Sequence, residues 1–260
     1  MKFYVNKDYF KKEDFFIFLP KSHRLMPFQI NLDVELNDIL CVDEQKEILY
    51  KNTKSFINDR ECNNILLWGA RGMGKSTLIK CIIKSINKGN KRKIKLVEFL
   101  NNSLDYLPDV IFDLSKINKK FIVFIDDIAF NNAHKDFKLF KSLIEGSLLS
   151  NTKNIKYYIT SNLRHLSLKE NSNNNLDDLT RKEMLSNIIS LSDRFGCWVG
   201  FHENDKENYL KIINHYIKKS SKNSNDEINK KAIQWSLNKG NFSGRTAYQF
   251  VQNLKLDVLK

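Results

Sequence analysis

The 260-residue sequence predicts an α/β fold: a parallel five-stranded sheet flanked by helices, followed by a small C-terminal helical lid. Three observations carry this expectation. Five short apolar runs alternate with stretches of helical period, and they are apolar on both faces, as strands buried between helix layers must be. A glycine-rich loop, GARGMGKST at 69–77, joins the first of these runs to a helix. Beyond His202 the strand-like runs stop and only amphipathic helix patterns follow.

Taken in order, residues 1–34 form an aromatic and basic N-terminal extension broken by Pro20 and Pro27, expected to pack on the core. A core then spans 35–202. Ile48, Leu49, Thr53 and Phe56 recur at helical spacing, which predicts a helix to about Asn58 with Asp43 as its N-cap. Asn64–Trp68 is the first strand, and Leu78, Ile79, Ile82, Ile83 and Ile86 mark the helix after the glycine loop. Lys93–Phe99 reads as a strand, and Leu104–Leu114 as a helix interrupted near Pro108. Phe121–Ile125 is a solidly apolar strand ending in Asp126-Asp127. Phe137, Phe140, Leu143, Ile144 and Leu148 give a helix face, and Ile155–Thr160 the next strand, ending in Ser161-Asn162. A polar loop at 171–178 and a helix through Met184 and Ile188 lead to the last strand, Cys197–Phe201. The lid, 203–260, holds three helices, marked by Tyr209 to Ile217, by Ile228 to Trp235, and by Ala247 to Leu254 with Ser243 as N-cap.

Composition excludes several classes. No apolar run reaches the length of a membrane span. The N-terminus lacks the apolar centre and small-residue cleavage site of a secretory signal, so a cytoplasmic location is expected. Cys41, Cys62, Cys81 and Cys197 are scattered without metal-ligand spacing, which points to reduced, packed thiols. The formal charge of +13 suits a polyanionic partner. It equally suits an AT-rich coding bias, because the chain is rich in Lys, Asn and Ile, and the lysines are spread along its length. Against that bias the few arginines stand out: Arg71, Arg164, Arg194 and Arg245 fall in or beside the motifs below.

The loop fits G-x-x-x-x-G-K-[ST] through Gly69, Gly74, Lys75 and Ser76. A triphosphate needs many donors close to the backbone. Glycines let Gly69, Ala70, Arg71, Gly72, Met73 and Gly74 curl so that successive N–H groups converge on the anion. The helix N-terminus at Lys75, Ser76 and Thr77 adds its positive dipole end. Lys75 can reach the β- and γ-phosphates, and the Ser76 hydroxyl can ligate Mg²⁺.

Such a loop demands a carboxylate partner. Asp126, at the end of a buried strand, fits the acid that holds Mg²⁺, and Asp127 is placed to orient or deprotonate an attacking water. Paired carboxylates after a strand also serve as helix N-caps, the competing reading. Asn162 at the next strand tip suits a neutral polar sensor of the water or γ-phosphate, or simply a turn. Arg194, between a helix and a strand, suits a finger reaching a neighbouring subunit's γ-phosphate; a salt bridge with Asp193 is its alternative. Arg245 starts the third lid helix, where a cation is not favoured by the dipole, and could touch the γ-phosphate from the lid side.

Taken together these stretches resemble an AAA+ P-loop NTPase. More narrowly they resemble a prokaryotic AAA+ family built on a domain of unknown function. The carrying segments are VDEQK at 42–46, NNILLWGARGMGKSTLIK at 63–80, FIVFIDDIAF at 121–130, TSNLRHL at 160–166, SLSDRFGCWVGF at 190–201 and SGRTAYQF at 243–250. The IDD and DRFG segments are also similar to the bacterial replication-initiator branch. The resemblance implies ATP and Mg²⁺, with Val42 near the adenine and Ser76 and Asp126 at the metal. It also implies Asp127 at the water, Asn162 as sensor 1, Arg194 as a finger acting in trans within a homo-oligomer, and Arg245 as sensor 2. An assembly-dependent ATP hydrolase acting as a switch or remodeller is the expected function, with nucleic acid or a protein as client. Two departures stand out: the second acid is Asp127 rather than the commoner Glu, and Cys41 stands where many AAA+ chains have Gly.

Overall fold

The computed structural model describes residues 8–128, 152–162, 195–220 and 225–256. Its elements are α1 (Tyr9–Lys12), β1 (Phe15–Leu19), β2 (Arg24–Pro27), α2 (Asp43–Ile57), β3 (Ile65–Gly69), α3 (Lys75–Lys88), β4 (Ile94–Phe99) and α4 (Leu107–Ser115). Then follow β5 (Lys120–Ile125), β6 (Ile155–Thr160), β7 (Cys197–Phe201), α5 (Lys206–Lys219), α6 (Asp226–Lys239) and α7 (Gly244–Lys255). The helices read at 137–148 and through Met184, the loop at 171–178, Arg164 and Arg194 lie outside the described residues.

One sheet runs in the order β2-β1-β4-β5-β6-β3-β7. All pairings are parallel except that of β1 with β2. The sheet therefore has seven strands, not the five expected. The extra two come from the N-terminal stretch. In FFIFL, Phe16 and Phe18 are fully buried in one core cluster, while Phe15 on the opposite face is partly buried against the other. β1 adds to β4 in parallel, with Phe16 opposite Val97, and the turn at Pro20–Ser22 folds β2 back as the edge. Pro27 ends that edge strand, where a missing N–H costs no ladder bond.

The five expected strands follow their patterns. Along β5, Phe121, Val123 and Ile125 enter one core cluster, with α4, while Ile122 and Phe124 enter the other, with α2 and α3. Two local expectations shift by a step. Val42, not Asp43, occupies the cap position of α2, and Asp43 is its first helical residue. Residues 101–106 form a 3-10 turn, and Pro108 sits in the first turn of α4, where its fixed φ is compatible with a helix start. The lid has its own core of Tyr209, Ile213, Ala232, Ala247, Phe250 and Val251, and Ser243 caps α7 by accepting from Thr246 N–H. No helix among the described residues is long and apolar enough to cross a membrane.

Candidate nucleotide site

The strand order decides where the site lies. β3 sits between β6 and β7, whereas the next strand in sequence, β4, lies beyond β5 and β6. Chain connections therefore diverge at β3, and ligands bind outside the carboxyl ends of strands at such a point. The ends of β5, β6 and β3 are neighbours there, and they carry Asp126-Asp127, Thr160–Asn162 and the glycine loop.

The loop's shape needs its glycines. Gly69 has φ of 121° and a Cβ there would lie 2.0 Å from the Phe201 carbonyl oxygen. Gly72 has φ of 77° and faces Ser243 on the lid, and Gly74 enters α3 at φ of 85°. Ala70 N–H donates to the Phe201 carbonyl, and Arg245 N–H donates to the Gly72 carbonyl at 3.1 Å. The loop is thus held by β7 below and by α7 above.

Lys75 is buried, and its ammonium donates to the Gly69 carbonyl (2.7 Å), the Ala70 carbonyl (2.8 Å) and Asn162 Oδ1 (3.1 Å). Burial pulls its pKa down to about 8, against the opposing pull of Asp127 and Asp126. Asn162 also donates from its amide nitrogen to Asp127 Oδ1. Ser76 Oγ donates to Asp126 Oδ1 at 2.6 Å.

Sequence reasoning missed Thr160 as a site residue. Its hydroxyl donates to Asp126 Oδ1 and accepts from Asp127 N–H at 2.8 Å. Asp127 needs that support, because its φ of 57° is left-handed, a conformation costing roughly 1–2 kcal/mol outside glycine. The signal was faint: a hydroxyl ending a strand, IKYYIT, that is otherwise apolar and aromatic except for Lys156.

A cleft of about 640 Å³ opens above these residues, lined by Arg71 to Thr77, Asp126, Asp127, Thr160, Asn162 and Arg245. The remaining wall is a strap, residues 31–40, facing Ile212, Tyr216 and Tyr248 of the lid. Val42 does not line the cleft; it is buried in the core, and Ile39 and Leu40 line the cleft instead. Just before α2, Cys41 has a left-handed backbone, with φ of 62°. That left-handed backbone is why glycine suits this position.

The strap is pinned to the lid. Asp38 is buried and pairs with His215 Nε2 at 2.9 Å and Lys219 Nζ at 2.5 Å, while accepting from Glu35 N–H. Burial pushes its carboxyl up, but the bonds from Lys219, Glu35 and His215 win and hold it below the usual carboxylate range. Tyr216 donates to the Asp38 carbonyl and Tyr248 to Asp33.

The residues fit a magnesium nucleotide. Positive-φ glycines make a cradle, and Ser76 with Asp126 offers an oxygen-only pair of the kind Mg²⁺ takes along with phosphates and water. No cluster of three His, Cys, Asp or Glu exists among the described residues.

A diverging parallel sheet, a glycine loop gripping a buried lysine, and a three-helix lid bonded to that loop define an AAA+ P-loop NTPase fold. The chain belongs to the family described as Protein of unknown function (DUF815), whose model matches residues 11–257. Among solved structures, it is similar to the Thermotoga maritima RuvB Holliday junction branch migration motor, with TM-score 0.54 and 17% identity over 82% of this chain and 61% of that one. It is also similar to the Aeropyrum pernix Orc1 protein in complex with DNA, with TM-score 0.56 and 10% identity over 82% and 61%. The chain thus spans about three fifths of their length, and identities this low speak for the fold. No curated protein sequence matches the chain significantly.

Proposed function

We propose that the protein hydrolyses ATP as an AAA+ switch whose turnover depends on assembly into a homo-oligomer. One observation supports this most: Lys75, Ser76, Asp126, Asp127, Thr160 and Asn162, from three separate strand ends, form one continuous hydrogen-bonded network beneath the glycine loop, with Thr160 as the link. The loop amides and the start of α3 bind the phosphates. Lys75 exchanges loop carbonyls for phosphate oxygens. Asp127 accepts from the attacking water, and Asn162 holds that water in line. Magnesium, held by Ser76 and Asp126, would offset charge on the phosphate oxygens. Asp127 is shorter than the usual Glu, so slow turnover is expected. The strap and the lid aromatics hold the base, and Arg245 reaches the phosphates from α7.

Arg194 of a neighbouring subunit completes the site in this reading. The test is ATPase rate per subunit against protein concentration, with Lys75→Ala as the zero-turnover reference. The rate should fall on dilution and in Arg194→Ala, and Arg194→Ala subunits should regain turnover when mixed with Lys75→Ala subunits. A rate indifferent to both dilution and Arg194→Ala removes the trans finger. As client, nucleic acid is favoured over protein: RuvB is a branch migration motor on Holliday junctions, and the Orc1 chain is in complex with DNA.

A further inference from the structure

We infer that the sheet edge opposite the cleft is a binding surface for nucleic-acid phosphates. The inference goes beyond ATP hydrolysis and does not require it. In a parallel sheet the amino ends of the strands share one edge, and the cleft takes the other. The turns entering β4, β5 and β6, three adjacent strands, carry Lys88, Lys91, Arg92 and Lys93, then Lys116, Lys119 and Lys120, then Lys153 and Lys156. These turns contain no carboxylate. The described turns leaving the opposite edge carry Asp105, Asp126, Asp127, Glu203 and Asp205 against Lys21, Arg71 and Lys75, and on the amino edge itself the turns entering β1 and β3 carry Glu13, Asp14, Asp59 and Glu61 against Arg60, so the cationic excess is confined to the three middle strands. A coding bias toward lysine acts on both edges alike, so it cannot separate them.

The basic edge is also a fixed frame. The Asp59 carboxylate accepts from Arg92 Nη1 at 2.5 Å and from Lys120 Nζ at 2.6 Å, joining two turns. The Asn154 amide donates to the carbonyls of Leu114, Ile117 and Lys119, joining two more, and Lys120 Nζ reaches the Lys153 carbonyl. Asn87 closes the first turn on both the N–H and the carbonyl of Ile94. Lys88, Lys91, Arg92, Lys93, Lys116, Lys119 and Lys153 remain exposed on that frame. Binding then has little backbone left to order.

The size suits a phosphate backbone. Strands spaced about 4.8 Å apart put the outer two turns roughly 10 Å apart, a length over which a duplex carries about six phosphates. The surface does not suit a bilayer. Ile117, the apolar residue of these turns, packs inward, and amides of Asn90 and Asn118 stand beside the cations, so nothing apolar at the turn tips inserts. The exposed ring nearby, Phe112, carries the Lys116 ammonium 3.5 Å from its centroid. The ring thus holds the cation at the surface by a cation–π contact.

The test is fluorescence anisotropy of a labelled short duplex titrated with the full chain between about 50 and 200 mM salt. Lys91→Glu with Lys119→Glu and Lys153→Glu should weaken binding at least 30-fold and flatten the log–log salt slope by about 3. The same charge change on the lid, Lys206→Glu with Lys218→Glu and Lys230→Glu, should cost no more than about threefold, since diffuse charge alone is screened. ATP binding by the edge variant, measured alongside, should be unchanged. Equal losses from the two triples would overturn the inference, as would an absence of duplex binding at low salt, or binding to anionic lipid vesicles without duplex binding. If the reversed triple fails to fold, the Lys→Gln triple at the same positions decides, with the same ordering against its lid counterpart. Failure of ATP binding in the unaltered chain would sink the hydrolase reading and leave this one standing.

Discussion

Thr160→Val is the substitution that most directly probes the candidate site. Valine keeps the shape of the side chain and removes both of its hydrogen bonds. The bond to the Asp126 carboxylate is charge-assisted, with a net value of about 1.5–3 kcal/mol, and an unmet Asp127 N–H costs about 1–3 kcal/mol more. Some of this appears as lower stability, because Thr160 is buried. The rest frees Asp127 from its left-handed backbone and lets its carboxylate wander from the water. If about 2–3 kcal/mol falls on the transition state, kcat drops roughly 30- to 150-fold. In the proposed mechanism the phosphates are held by the loop and not by Thr160, so KM for ATP stays within about threefold. Thr160→Ser retains the hydroxyl and should recover most of the rate. Steady-state ATP hydrolysis, at a protein concentration that saturates assembly, reads all three numbers. A Thr160→Val protein with unchanged kcat, or with altered KM alone, refutes the positioning role.

Lys75 makes two pH predictions. With its folded pKa near 8, below the ordinary 10.5, the unfolded chain holds more protons between these values, so this group adds stability as pH rises through that window. Phosphate binding needs the ammonium, so nucleotide affinity should fall above pH 8, with proton uptake on binding near pH 8, measurable by calorimetry in buffers of different ionisation enthalpy. Asp38→Asn should loosen the strap from the lid and weaken nucleotide binding by about tenfold, as expected from losing charged hydrogen bonds, with faster amide exchange across 35–40. Because the Asp38 carboxyl is held below its ordinary value, its contribution is complete above that value and is lost only as pH falls through the lowered one. A mild acid pulse near pH 5 should therefore leave the strap contact intact.

The parts of the site that were legible in the sequence are local. Gly69 to Ser76 is one contiguous signal, and Asp126 announces itself by ending an apolar run. What escaped depends on partners far away in the chain. Thr160 gains its role only because β5 and β6 pair with Ile125 opposite Ile159, which sets its hydroxyl beside Asp126. The β1–β2 hairpin is short and broken by Pro20, and the strand that accepts it, β4, lies far downstream. Asp38 meets His215 across 177 positions, so no spacing rule reaches it. Val42 was placed by resemblance near a base, yet it packs in the core, and Ile39 and Leu40 line the cleft instead.

The bond from Arg245 N–H to the Gly72 carbonyl has a mechanical outcome. It fastens the first turn of a 12-residue rod to a positive-φ glycine of the phosphate loop, and such a rod is about 18 Å long. Any re-curling of the loop around a γ-phosphate that tilts the rod by about 10° sweeps its far tip through roughly 3 Å. In the proposed switch, α7 would act as an indicator needle, turning the difference between two and three phosphates into a displacement a neighbouring molecule can feel.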